Sequence, residues 1–164
     1  MKLSFILIST LALIGNISGA PQIALPQTQQ LIADDLRTLL SPLLSQLNGQ
    51  IITLDLLVVS GPAELSSQIS PLVPQLSKLR TDLTLLPNYI DNLDEFNQAA
   101  NRAMVDTGNV NTSITGILDN VTNLFKKDPT TGESPIGAMV NNYSTQVKET
   151  MSKIRAVLVN FISF

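Results

Sequence analysis

Nine apolar residues, Leu65, Ile69, Leu72, Leu76, Leu79, Leu83, Leu86, Ile90 and Leu93, follow one another in steps of 4, 3, 4, 3, 4, 3, 4 and 3. A seam of that spacing places its side chains on one edge of an α-helix and packs helix against helix. It constrains the fold more than any other feature, because no β-strand can present that period. The seam crosses Pro71, Pro74 and Pro87. Proline lacks an amide donor and clashes with the preceding turn, so these sites kink or break the helix, most sharply at Pro87.

The remaining segments repeat the helical pattern. Leu36, Leu39, Leu40, Leu43, Leu44 and Leu47 recur at helical spacing. Asn48-Gly49 is a strong hairpin-turn signal, and Ile52-Thr53-Leu54-Asp55-Leu56 alternates as a half-buried strand would. Helical phase decides between the two. At roughly 100° per residue, Ile51, Leu54, Leu57 and Val58 fall in the same arc as the six leucines before the Asn-Gly pair. A hairpin has no reason to preserve that phase, and no second alternating segment exists to pair with it. The segment is therefore expected to be helical, with Pro42 as a kink or a first-turn residue and Gly49 as a weak point. Ser60-Gly61-Pro62 stops it and starts the next helix.

Beyond Pro87, Asp91, Asp94 and Glu95 suit the first turns of a new helix, where the macrodipole favours acids. Phe96, Ala100, Ala103 and Met104 continue its buried face. Asp106-Thr107-Gly108-Asn109 is turn chemistry. A further helix carries Val110, Ile114, Ile117, Leu118, Val121, Leu124 and Phe125. Residues 126–135, KKDPTTGESP, read as the clearest loop. Ser134-Pro135 caps and opens a last helix striped by Ile136, Val140, Tyr143, Val147, Met151, Ile154, Leu158 and Phe161, with a Glu149–Lys153 pair outside. The expected fold is all-α: a bundle of four to five amphipathic helices with coiled-coil-like 4-3 leucine packing.

The first residues point to an address. Met1-Lys2, the apolar run Leu3–Ile14 and the small residues Asn16-Ile17-Ser18-Gly19-Ala20 make a secretory signal peptide. Cleavage after Ala20 would leave Pro21 at the new terminus, so cleavage after Gly19 is favoured. Residues 1–19 are read as the signal peptide, 20–30 as a flexible tail with Pro21, Pro26 and four glutamines, and 31–164 as one helical domain. Roughly 145 residues suffice for one core without disulfides, which fits a secreted chain that has no cysteine.

The absences exclude more functions than the residues present suggest. With no histidine there is no ordinary triad base, and no lysine has a serine three positions before it. Asp34-Asp35 and Asp94-Glu95 are adjacent pairs whose side chains diverge on a helix. Zinc, iron and copper sites draw on His and Cys, which are lacking. Residues 106–111 offer oxygen ligands near a glycine but lack the acidic pattern of a calcium loop. The chain is expected to be no enzyme and to use no cofactor or metal. A net charge of −3, one unit more negative without Lys2, and the lack of a basic stripe argue against nucleic acid.

Three sequons follow the signal, Asn111-Thr112-Ser113, Asn120-Val121-Thr122 and Asn142-Tyr143-Ser144. Each asparagine lies off its helix's apolar stripe, making Asn111, Asn120 and Asn142 candidate glycosylation sites. Thr38–Leu54 carries no charge, yet its serines, proline, glutamines and Asn48-Gly49 make it a poor membrane span, so none is expected in the mature chain. Ile52, Leu56 and Val59 lie outside the main apolar arc. Together with Ile51, Leu54 and Val58 they surround the helix end with apolar side chains, a segment expected to be the most buried helix in the fold, or else to line a ligand cavity or an oligomer interface.

In outline the design resembles the exchangeable insect apolipoproteins of the apolipophorin III type: small, cysteine-free, amphipathic and helical. That likeness implies binding of lipid-like ligands or surfaces. The polar faces depart from that family, being mostly Ser, Thr, Asn and Gln in a chain only 14% charged. The expected function is a secreted, non-enzymatic binder of a lipid or small apolar ligand or surface. The alternative is a structural or interaction protein that joins itself or another protein through the Leu65–Leu93 seam.

Overall fold

The computed structural model describes residues 24–124 and 135–162. It is all-α, with no strand among the described residues. Helix α1 spans Ala24–Ser60, α2 Ala63–Ile69 and α3 Leu72–Leu85; a 3-10 turn covers Leu86–Tyr89, then α4 spans Leu93–Leu124 and α5 Pro135–Ile162. The signal peptide, Phe125 and the loop 126–134 lie outside the described residues.

α1 runs unbroken through Pro42, Asn48 and Gly49. Its inner row of Ala33, Leu36, Leu40, Leu43, Leu47, Ile51 and Leu54 is buried, and this row carries the helix past three poor helix formers. The helix also begins earlier than the tail read over residues 20–30. Ala24–Gln30 belongs to α1, because Pro26 sits in the first turn, where no amide donor is needed, and glutamine is a good helix former.

At the far end the carbonyls left over by the helix find partners. The Gly61 amide donates to the Leu57 carbonyl at 2.9 Å. Ser66, one turn into α2, donates its hydroxyl to the Val58 carbonyl at 2.6 Å, which ties the chain reversal together.

The prolines act as their chemistry dictates. Pro62 precedes α2, Pro71 lies in the break between α2 and α3, and Pro74 sits in the first turn of α3. Pro87 forces the 3-10 turn. Asn92 then caps α4: its Oδ1 accepts from the amides of Asp94 and Glu95 at 3.2 and 3.3 Å, and its Nδ2 donates to Glu95 Oε1 at 2.9 Å. The first pair is an N-cap, and the side-chain bond to Glu95 holds the Asn92 amide in place, while the Asn92 backbone amide donates to the Tyr89 carbonyl at 2.9 Å.

Two expectations fail between residues 93 and 109. Leu65, Ile69, Leu72, Leu76, Leu79, Leu83, Leu86 and Ile90 are all buried, but Leu93 is 60% exposed. The 3-10 turn resets the phase, and the buried row of α4 starts at Phe96. Asp106-Thr107-Gly108-Asn109 is no turn but lies within continuous α4. Thr107 is buried and its hydroxyl donates to the Met104 carbonyl at 2.7 Å, and Asp106 accepts from Lys78 of α3. Tertiary packing overrides the local turn preference.

α1 packs on α3 and α5, and α4 packs on α3 and α5, the α4–α5 contact being the most extensive. Small buried residues on α4, Ala99, Ala100 and Ala103, allow close approach. Bridging pairs show the directions. Ser66 meets Val58 while Arg80 meets Asn48, and Gln68 meets Asn120 while Lys78 meets Asp106. In each set the number rises along the leg formed by α2 and α3 as it falls on the partner helix, so that leg runs antiparallel to α1 and to α4. The arrangement covers two flanks of α1 and leaves its outer face to solvent.

Candidate functional site

The outer face of α1 is where the sequence reading needs correction. The segment Ile51–Val59 is not the most buried part of the fold. Ile51 and Leu54 are core, at 7% and 1% exposure, and Leu57 and Val58 are half-buried. Ile52, Leu56 and Val59 are 52%, 63% and 85% exposed. Their spacing of i, i+4, i+7 sets them in one stripe on the helix. The physical reason is the packing: α3 and α5 lie against the flanks of α1, and no described element covers its back.

The same face continues toward the N-terminus as Thr38, Ser41, Ser45 and Asn48, all exposed and uncharged. Asp55 is the single charged residue between Thr38 and Ser60, and the first basic residue after Arg37 is Lys78. By length and composition Gln27–Ser60 could cross a membrane. Its inner row, however, is spent on the core, and its outer face is polar over its first half. Core helices of soluble proteins pass the same composition test.

Between α1 and α5 lies a groove of about 390 Å³ lined by polar side chains of both helices. At its floor Gln50, although buried, donates from Nε2 to Thr150 Oγ1 at 2.8 Å and to the Gln146 carbonyl at 3.1 Å. Because that carbonyl is an obligate acceptor, the amide orientation follows. Gln50 Oε1 is left buried without a hydrogen-bond partner. Tyr143 donates its hydroxyl to the Gln50 carbonyl at 3.1 Å. Burial, with a smaller contribution from the negative charge of Asp55, holds the Tyr143 phenol well above the usual tyrosine range. Glu149 and Lys153 are exposed along the rim.

On the opposite side, Lys78 of α3 donates to Asp82 at 2.8 Å and to Asp106 of α4. The Asp106 hydrogen bond, then that of Asp82, raises the Lys78 ammonium above its ordinary value. One exposed ammonium between two carboxylates is a clamp between helices. Among the described residues, no group of three or more His, Cys, Asp or Glu could hold a metal ion.

The sequons differ in setting. Asn142 and Asn120 are exposed, whereas Asn111 is half-buried with its Oδ1 shut from solvent and without a partner. The buried polar pair Gln50 and Thr150 and the Asn92 cap were not singled out from sequence. The cap was readable as Asn-x-x-Glu ahead of an apolar row. Gln50 gave no signal beyond falling near the apolar arc. No protein-family model, curated protein or solved structure matches the chain.

Proposed function

We propose that this is a secreted, non-enzymatic helical protein that seats on uncharged apolar surfaces, foremost lipid surfaces with neutral headgroups, through the outer face of α1. The observation that carries the reading is the solvent-exposed stripe Ile52, Leu56 and Val59 on a helix without a basic residue from Thr38 to Ser60. A binder of anionic membranes needs clustered Lys and Arg. This chain is acidic and has no such cluster by the stripe, where Arg80 of α3 is held by Asn48 one turn before Ile52, so the driving force is apolar contact. The four long helical legs are read as a bundle with 4-3 packing, whose core holds the seam from Leu65 to Ile90. With the seam occupied inside the chain, self-association through it has only Leu93 left to offer, and the lipid reading stands first.

Flotation of the mature protein with phosphatidylcholine vesicles tests this. Burying three partly exposed aliphatic side chains contributes about 1 kcal/mol each, so the triple variant Ile52→Ser, Leu56→Ser, Val59→Ser is expected to bind about a hundredfold more weakly. Phosphatidylglycerol is expected to add nothing. No flotation at micromolar protein, or equal flotation of the triple variant, overturns the proposal.

A further inference from the structure

We propose that, of the two sequons on the long helices facing each other across the α4–α5 pair, Asn142 carries an N-linked glycan in the released protein and Asn111 stays bare. This rests on the reading that the chain enters a eukaryotic secretory pathway, where the Asn-x-Ser/Thr tripeptide is the acceptor. Transfer takes place on the unfolded chain, so the fold decides which glycans a released molecule can hold.

Asn142 meets the requirement. It is exposed on α5, and its Oδ1 accepts from Gln146 Nε2 at 3.4 Å, one turn along the same helix. That bond occupies the oxygen and leaves Nδ2, the atom that bears the sugar, directed away from the partner. The neighbouring Tyr143 and Ser144 are buried, so the helix face that anchors the site is fixed by the core while the asparagine stands clear of it.

Asn111 does not. It is half-buried, and its Oδ1 has no solvent contact and no hydrogen-bond partner. Along α4 it lies between buried Thr107, four residues before, and buried Ile114, three residues after. Those positions share a helix face with it. Gly108, in the preceding turn, lies beside Arg155 of α5. A sugar on Asn111 would have to enter space that is shut from solvent, beside the turn of α4 that meets Arg155 of α5 in the most extensive helix pair of the fold. A chain modified there loses that packing and is not released.

The test expresses the full chain in eukaryotic secretory cells, in an Asn120→Gln background so that only these two sequons remain, and treats the secreted protein with a peptide-N-glycosidase. The expected result is loss of one glycan's mass, abolished by Asn142→Gln and unchanged by Asn111→Gln. Asn142→Gln is expected to be secreted at the level of its parent, and Asn111→Gln at that level or above it, because it removes the sequon whose modification holds a chain back. A chain that stays inside cells and never meets the glycosylation machinery overturns the secretory reading. A secreted chain with no mass shift, or with a shift that survives Asn142→Gln, overturns the assignment itself.

Discussion

Leu54 and Leu56 sit two residues apart on one helix and should respond differently to the same truncation. Leu54 is 1% exposed within the core row of α1, and Leu56 is 63% exposed on its back. Leu54→Ala removes a fully packed side chain and leaves a cavity, which costs about 3 kcal/mol. Leu56→Ala removes a side chain that has about a third of its surface covered, worth about 0.7 kcal/mol against 1.5–3 for full burial. Alanine's better helix propensity offsets about 0.2 kcal/mol of that, leaving about 0.5. For a domain of this size 1 kcal/mol corresponds to about 4 °C, so the expected drops in Tm are about 12 °C and 2 °C. Urea unfolding followed by far-ultraviolet circular dichroism gives the same comparison, provided the m-values agree. Equal losses would refute the reasoning: the back of α1 would then be covered in solution, most simply by a second copy. A small loss for Leu54→Ala would refute the inner row as core.

Two further substitutions probe α1 and its partner α5. Gly49→Ala places a methyl group where nothing lies within 4 Å, in a helix interior, and is expected to stabilise by about 1 kcal/mol in urea titration. If it destabilises, α1 is not continuous at Asn48-Gly49. Tyr143→Phe tests the pH dependence of stability. The folded phenol holds its proton beyond the ordinary tyrosine value near 10, so above about pH 10 the unfolded chain has lost a proton that the native chain keeps. Stability from this group is complete below that pH and falls as pH rises through and beyond it. Urea midpoints compared at pH 9 and 11 are expected to fall less in Tyr143→Phe than in the parent, and an equal fall would show that Tyr143 is not shielded.

What could be read from sequence was whatever a single helix decides for itself. The phase that survives Asn48-Gly49, the seam from Leu65 to Ile90 and the break at Pro87 are properties of one chain segment, and the fold has all three. Errors arose where a neighbour decides. Leu93 kept the numerical spacing of the seam, but the 3-10 turn at Leu86–Tyr89 had already rotated the chain away from it. Residues 106–109 carry turn formers, but Lys78 holds Asp106 from another helix, and buried Thr107 is held within its own. An apolar helix end at Ile51–Val59 says that two sides want cover, not whether two sides receive it.

That last gap bears on function. The outer face of α1 tolerates polar residues along its first half, where Thr38, Ser41, Ser45 and Asn48 stand exposed with the buried row unbroken beneath them. The fold would therefore accept serine at positions 52, 56 and 59 at little cost. Scattered exposed aliphatics are ordinary on protein surfaces, but three at i, i+4, i+7 in one stripe of the longest helix, with Asp55 the one charge among them, are what the proposed contact rests on. Neither the core nor the helix requires Ile52, Leu56 and Val59 to be apolar. A surface met from outside is the reason we propose, and with no basic residue on α1 from Thr38 to Ser60 and Arg80 of α3 held by Asn48, we take its attraction to be apolar.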